Sequence, residues 1–271
     1  MNKMIMNRLT MLAVTLMASM ACFAQGKMAT TIGSGKQVGD VFDYLELKYK
    51  VTNNSAGYTV QVIGFADAFE ANPKNFDTSE DIDAHNTVTI PHYIGTSTDV
   101  AVQVYVQSIA DGALNTSDAT LAGKVKAITI QYVDNEKTLG NPVIIGENAF
   151  AGLTSVATVE SKIPGAKVAD IPESAFATNV YKTAKLKVPA GSLAKYAAAE
   201  GWTKFYYITD GSVVLGDLDP DHDGDIDGLD VKELKKMILN GTYSAAADLN
   251  GDGDIDGLDL KKIKQIILGT Y

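Results

Sequence analysis

Two acidic stretches near the C-terminus of this 271-residue chain repeat one pattern of carboxylates and glycines. The first runs from Asp219 to Asp230 and the second from Asp248 to Asp259. In both, an acid or amide stands at positions 1, 3 and 5, a glycine at 6, an isoleucine at 8 and an aspartate at 12. A hard cation takes about six to eight oxygen ligands, which a chain curling around it supplies from alternate side chains. The spacing therefore predicts two calcium loops.

The candidate ligands stand at positions 1, 3, 5, 7, 9 and 12 of each loop, as in an EF-hand-type site. Position 7 contributes its carbonyl, position 9 usually acts through water, and Gly224 and Gly253 allow the positive φ of the curl. The set is Asp219, Asp221, Asp223, Asp225, Asp227 and Asp230, then Asp248, Asn250, Asp252, Asp254, Asp256 and Asp259. His222 is interpreted as solvated, because imidazole suits softer metals.

A solvated acidic run is the alternative interpretation of such a segment. An acidic run, however, has no need of glycine and isoleucine at the same positions in two copies. Residues 216–271 carry thirteen acids and six lysines, which places −7 of the chain's net charge of −10 there. Two Ca²⁺ ions would reduce that to −3, so the calcium-free segment should be poorly folded. The acidity also argues against nucleic acid as a partner.

One amphipathic helix follows each loop. Apolar residues recur at helical spacing from Val231 and from Leu260, and Gly241 and Gly269 end the two helices. A duplicated loop and helix with aspartate at position 12 resembles the type I dockerin domain over residues 216–271. The resemblance implies a small α-helical domain that binds two Ca²⁺ ions through paired loop-helix motifs and docks onto a cohesin domain of a scaffold protein.

The resemblance also implies a partner-binding surface, at loop positions 10 and 11 and on the helix that follows. The matching residues are Gly228, Leu229, Lys235, Lys236, Gly257, Leu258, Lys264 and Gln265. Dockerins commonly carry hydroxyl residues at positions 10 and 11, and the two Gly-Leu pairs depart from that pattern. Because the two copies are nearly identical, a half-turn of the domain would present almost the same surface, which predicts two docking orientations.

Residues 1–24 predict a secretory signal peptide. Lys3 and Arg8 precede the apolar stretch 9–21, and small residues precede a cleavage site after Ala24. The apolar stretch is too short for a membrane span. Cleavage would remove the single cysteine, Cys22, and lipidation of Cys22 is the alternative. We expect a secreted or cell-surface protein without a transmembrane span.

A weak repeat lies in the central region. Three copies of Ile-x-acid-x-Ala-(Phe or Leu) begin at Ile109, Ile145 and Ile171, and a strand-like segment follows each copy. One strand and one turn per period is typical of a solenoid, whose units bury their apolar side by stacking. The last residues of the copies are predicted to form an interior ladder: Leu114, Phe150 and Phe176.

This region resembles the BspA-like leucine-rich repeats of bacterial surface proteins, most strongly over residues 141–208. Residues 186–202 are similar to the strand, turn and short helix that close such arrays. Alternating residues over 40–66 predict a β-hairpin. The predicted fold is therefore mainly β with short helices: a β-rich N-terminal region or cap (25–140), a short leucine-rich-repeat solenoid with its C-terminal cap (141–208), a linker (209–215) and the small α-helical dockerin (216–271).

Catalytic groups are sparse. His85 and His92 lack a recognisable triad arrangement, and Glu147 and Glu173 stand at equivalent repeat positions, which favours a turn role over a glycosidase carboxylate pair. We expect a non-enzymatic binding or adhesion module, anchored to a cohesin-bearing scaffold, with a protein or glycan ligand on its repeat surface. The alternative is a component or accessory of a polysaccharide-degrading, cellulosome-like enzyme complex. Tyr206 and Tyr207 are candidates for a glycan platform, with strand packing as the other interpretation.

Overall fold

The computed structural model describes residues 37–44, 46–54, 58–67, 86–94, 104–134, 141–211, 214–219 and 225–270. The predicted signal peptide, Cys22 and His85 lie outside these residues. The described residues form two β-sheets and a few short helices, followed by a C-terminal helical segment.

The first sheet contains both antiparallel and parallel pairs of strands. Its strands are β1 (Val41–Tyr44), β2 (Leu47–Asn53), β3 (Tyr58–Phe65), β5 (Tyr93–Ile94), β6 (Val104–Ile109) and β8 (Ile144–Ile145). Strands β2 and β3 pair antiparallel, which confirms the predicted hairpin. Strand β6 pairs parallel with β3 and with β8, and antiparallel with β5.

The second sheet consists of β4 (Thr87–Ile90), β7 (Ala127–Ile130), β9 (Thr158–Ser161), β10 (Lys185–Lys187) and β11 (Tyr207–Thr209). It is parallel throughout, in the order β11-β10-β9-β7-β4. Their neighbours in the sheet follow chain order, because the intervening strands β5, β6 and β8 belong to the first sheet. The chain therefore passes repeatedly from one sheet to the other and back.

The three copies that begin with isoleucine contact one another through one recurring hydrogen bond. The backbone N–H of Leu114 donates to the carbonyl of Ala149, and that of Phe150 donates to the carbonyl of Ala175, both at 2.8 Å. The rings of Phe150 and Phe176 stack with centroids 4.8 Å apart. Leu114, Phe150 and Phe176 are all buried, as the sequence predicts.

An aromatic cluster forms where Phe176 packs against Tyr181, Trp202 and Phe205. Three short helical segments contribute rings to it: α2 (Thr178–Thr183) with Tyr181, α3 (Leu193–Ala198) with Tyr196, and a 3-10 helix (Trp202–Lys204). A further short helix, α1 (Ala119–Lys124), precedes β7. Ser192 is the N-cap residue of α3, but its hydroxyl accepts from the N–H of Gly165 at 2.9 Å and does not cap the helix. We refer to α3 and the 3-10 helix together as the cap.

The segment predicted as a linker is folded against the last strand. Thr209 belongs to β11 and forms an antiparallel bridge with Val214, and the N–H of Leu215 donates to the carbonyl of Ile208 at 2.8 Å. The side chain of Leu215 is buried. The C-terminal helices therefore start from a chain that is held close to the cap.

Two longer helices complete the structure, α4 (Gly228–Asn240) and α5 (Gly257–Leu268). Asp227 and Asp256 cap their N-termini, and Gly241 and Gly269 end them with φ of 63° and 64°. The glycine stops are confirmed. None of the helices in the described ranges is long and apolar enough to cross a membrane.

Candidate metal centre

Each acidic loop is closed by the aspartate inside the first turn of its helix. Asp230 accepts from the N–H groups of Leu218 (2.6 Å), Asp219 (3.1 Å) and Asp227 (2.7 Å). A carboxylate offers about four acceptor positions, so Asp230 keeps capacity for a cation. Because these donors lie at both ends of the loop, its carboxylate holds the two ends together.

Asp259 closes the second loop in the same way. Its carboxylate accepts from the N–H groups of Leu249 (2.8 Å), Asn250 (3.2 Å) and Asp256 (2.9 Å). The two sets of bonds correspond one to one. Leu218 in the first copy is therefore equivalent to Leu249 in the second, and Asp219 is equivalent to Asn250.

This correspondence moves the start of the first loop. The sequence repeat of 29 residues makes Asp219 the equivalent of Asp248. The hydrogen bonds instead make Leu218 the equivalent of Leu249, so Asp217, one residue before Leu218, corresponds to Asp248. Counted from Asp217 to Asp230, the first loop is two residues longer than the second. Asp219 therefore takes position 3, and Asp217, which the sequence reasoning missed, takes position 1. The shared Asp-Leu pair at 217–218 and 248–249 was the signal that could have revealed it.

The carboxylates of Asp217, Asp219 and Asp230 converge in the structure. One oxygen from each lies within 4.8 Å of the others, and all three side chains are buried. Buried carboxylates normally require a cation or hydrogen-bond donors as compensation. A set made only of hard oxygen donors suits Ca²⁺ or Mg²⁺ and not a soft transition metal.

The second loop is described over its full length. Asp248 is fully buried, and its two oxygens accept from the N–H groups of Gly251 (2.7 Å) and Gly253 (3.0 Å). The side chains of Asn250 and Asp252 accept from N–H groups two residues on, at 3.0 and 2.9 Å. These bonds curve the backbone of the second loop. Alternate side chains can then point towards its centre, as the predicted ligand spacing requires.

The remaining predicted ligands fall into two groups. Asp227 and Asp256 cap their helices through N–H groups two residues on, at 2.6 and 2.7 Å, which is compatible with an indirect role through water. Asp225 and Asp254 have exposed side chains, as expected where position 7 offers only its carbonyl. Asp221, His222, Asp223 and Gly224 lie outside the described residues.

Burial of like charges raises the electrostatic cost of the second loop. Burial raises the pKa of Asp259, and the nearby Asp248 carboxylate raises it further, while three backbone N–H donors lower it. On α5, burial lowers the pKa of Lys262 to about 8, although the Asp259 and Asp248 carboxylates act in the opposite direction. A bound cation would offset the repulsion between the two aspartates.

A comparison with protein-family models matches residues 216–268 to the type I dockerin domain. Residues 216–268 form a type I dockerin domain. The match begins one residue before Asp217, in agreement with the loop start that the hydrogen bonds indicate. No curated protein and no solved structure matched the chain.

The residues predicted to read cohesin lie mostly on the surface of the dockerin. Leu229 and Leu258, at position 11, are 52% and 56% exposed. Gly228, Gly257, Lys235, Lys236 and Lys264 are also exposed, and Gln265 is half-buried. Two exposed leucines at equivalent positions are available for a partner.

Glu147 and Glu173, which stand at equivalent positions of the sequence repeat, make turn and surface contacts. The N–H of Glu147 donates to Asp111 Oδ1 at 2.8 Å, its carbonyl accepts from Gly112, and Glu173 forms an ion pair with Lys204 at 3.1 Å. The backbone bonds of Glu147 are those of a turn, and the turn role of Glu173 stays a prediction. Tyr206 is buried and Tyr207 half-buried, which favours packing over a glycan platform.

His92 is a buried structural histidine. Its Nδ1 accepts from the N–H of Val133 at 2.8 Å, so Nε2 carries the proton and donates to the carbonyl of Asn141 at 2.9 Å. The ring stacks on Tyr132 with centroids 5.2 Å apart. Burial lowers the pKa of His92, while the bond from Nε2 to the carbonyl of Asn141 acts in the opposite direction. Both nitrogens are engaged, so the ring has no acceptor to offer a substrate.

The assignment of Asp217 makes a direct prediction. Asp217→Ala should reduce the calcium stoichiometry from two ions to one, because it removes the first carboxylate of the first loop and leaves the second loop unchanged. Asp254→Ala is the control, since position 7 contributes only its carbonyl. Isothermal titration calorimetry on the full chain measures both. Two ions bound to Asp217→Ala with unchanged affinities would contradict the assignment.

Proposed function

We propose that this protein is a secreted, non-catalytic binding or adhesion protein that its dockerin domain anchors to a cohesin domain of a scaffold. The family match over residues 216–268 carries this proposal. Type I dockerins bind calcium and support assembly on cohesins. The two loops, each closed by a buried aspartate, supply the geometry for such a calcium-dependent module.

Each loop holds one Ca²⁺ in this proposal. In the first, the ligands are Asp217 and Asp219, residues of the segment 221–225 and Asp230, with Asp227 acting through water. In the second, they are the side chains of Asp248, Asn250, Asp252 and Asp259, the carbonyl of Asp254, and a water held by Asp256. The ions neutralise the buried carboxylates and fasten α4 and α5 to their loops.

The repeat region is proposed to be a short stack of BspA-like units. The parallel second sheet, in which neighbouring strands follow chain order, supports this. So does the hydrogen bond that recurs at Leu114 and Phe150. The units form a rigid scaffold whose outer surface binds a protein or glycan, and residues 1–24 direct the chain out of the cell.

The alternative function is that of an accessory in a polysaccharide-degrading complex. The dockerin favours it, because this module is associated with cellulosome-type assembly. In that case the repeat region would bring a substrate or a partner to enzymes on the same scaffold. Polysaccharide-degrading enzymes bound to the same cohesin scaffold as this protein would support the alternative, and a scaffold that carries none would support the adhesion function.

Docking is tested by pull-down with a type I cohesin in calcium. Leu229→Asp alone and Leu258→Asp alone should each weaken binding several-fold, because the second copy still offers its leucine, whereas the double substitution should abolish binding. Leu239→Asp is the matched control, since this leucine is 84% exposed and lies at the far end of α4. Complete loss from one single substitution, with calcium binding intact, would show that only one face is used.

A further inference from the structure

We propose that the second calcium loop and α5 clamp the dockerin domain onto the cap of the repeat region when calcium is bound. This inference rests on the proposed calcium binding of the dockerin. The partner proposed for this face of the dockerin is the cap, which lies in the same chain and outside the residues of the family match. Three contacts, all within the described residues, carry it.

The first contact is made by the backbone of the loop itself. Gly251 stands between the candidate ligands Asp248 and Asp252 with a φ of +74°. A Cβ placed on Gly251 would lie 2.4 Å from the carbonyl oxygen of Ala194 and 2.8 Å from Cβ of Ala198, both in α3. Only glycine fits such a distance, so the loop backbone lies directly against the cap.

The second contact comes from α5. Lys262 is only 7% exposed, and its Nζ donates to Oγ1 of Thr203 in the cap at 2.6 Å. The equivalent residue of the first copy is Glu233, which instead pairs with Lys236 on the surface of α4 at 2.6 Å. Burial of a lysine head group is costly unless it is hydrogen-bonded, so this contact is specific to the second copy.

The third contact is at the end of α5. Nζ of Lys182, in the last turn of α2, donates to the carbonyl of Gly269 at 2.9 Å. A cation is favourable at a helix C-terminus, because the last carbonyls lack intrahelical donors. The contacts therefore involve both ends of the second loop-helix unit, the loop at Gly251 and the helix terminus at Gly269.

The clamp depends on calcium because Gly251 belongs both to the calcium loop and to the contact with α3. The N–H of Gly251 donates to Oδ1 of Asp248 at 2.7 Å, so the orientation of the Asp248 carboxylate and the position of Gly251 are linked. Without a cation, the buried carboxylates of Asp248 and Asp259 repel each other. Opening of the loop then moves Gly251 away from α3. The contacts with α3 described above come from the second loop, so we expect the ion of the first loop not to control the clamp.

The test is amide hydrogen exchange of the full chain, read at residues 193–204, with and without calcium. In calcium, exchange there should be at least tenfold slower than with a chelator. Asp248→Ala in calcium should show the fast rate, and Asp217→Ala the slow rate, because they remove the ions of the second and first loops respectively. Fluorescence emission of Trp202, the single tryptophan and the residue before Thr203, provides a second readout.

The interface itself is tested by variants that leave the ligands intact. Lys182→Ala with Lys262→Ala should speed exchange at residues 193–204 in saturating calcium, whereas Lys261→Ala with Lys264→Ala, two exposed lysines of the same helix, should not. If two ions bind and exchange at 193–204 is the same with and without calcium, the clamp is wrong and the dockerin function stands. If calorimetry detects no calcium, both are wrong.

Discussion

Chelation of calcium should unfold the dockerin domain of the intact protein while the sheets of the repeat region stay folded. Residues 216–271 carry a net charge of −7, and several of their carboxylates are buried, so the folded form depends on cations for compensation. Helices α4 and α5 are held to the loops by Asp230 and Asp259, and repulsion within the loops acts against both.

Far-ultraviolet circular dichroism of the full chain measures this prediction. The helical signal should fall with a chelator and return when calcium is added, with two ions bound by calorimetry. Magnesium at the same concentration is a control for non-specific screening, because it demands a smaller, octahedral site. A fully helical protein in excess chelator would contradict the prediction.

Phe176→Ala should lower the free energy of unfolding of the repeat region by about 3–5 kcal/mol, and Phe150→Ala by a similar amount. Both rings are buried, they stack on each other, and Phe176 also meets Tyr181 and Phe205 at centroid distances of 5.6 and 5.3 Å. Removal of either ring leaves a cavity that the backbone cannot easily close, because Phe150 and Phe176 form a parallel bridge and the N–H of Phe150 donates to the carbonyl of Ala175.

Urea denaturation followed by the emission of Trp202 measures the loss, since this tryptophan belongs to the same aromatic cluster. Ile144→Ala is the control, because Ile144 is 64% exposed and its truncation should change stability by roughly 0.5 kcal/mol or less. A change under about 1 kcal/mol for both phenylalanines would show that they are not core residues.

The clamp would give the dockerin a second role, as a calcium-dependent cover for the end of the repeat region. In the stack proposed for the repeat region, the last unit needs a cover for its apolar layer. Trp202 and Phe205 cover part of that layer, and the second loop lies over α3 beyond them. In calcium, the repeat surface would then be held in one orientation relative to the cohesin-reading face.

Local signals in the sequence were sufficient for the dockerin helices and the second loop. Asp227, Asp256, Gly241 and Gly269 act on N–H and carbonyl groups within about five residues of themselves, so a short pattern carries their effect. The hairpin over residues 40–66 was predicted for a similar reason, because its alternation and its turn are contiguous. Neighbours along the chain determine these features.

The start of the first loop needed the structure. The fixed offset of 29 residues is correct at Asp230 and wrong at Asp217, because two additional residues between them do not change the acidic appearance of the segment. Only the bonds from Leu218 and Asp219 to the Asp230 carboxylate locate the first position. The ligands of an ion are the groups that converge on it in space. A repeated sequence spacing identifies them in both loops only when the loops have the same length.

The sequence by itself was sufficient to predict two acidic loops, each followed by its own capped helix, because those features depend on contacts between residues close together in the chain. The tertiary structure alone decided that the second loop-helix unit lies on the cap. Lys262 and Thr203 are 59 residues apart, and Lys182 and Gly269 are 87 apart. Neither pair has a pattern that marks it. Their contact depends on how the last strand, the segment 209–216 and the aromatic cluster place α3 beneath Gly251, and chain packing alone sets that arrangement.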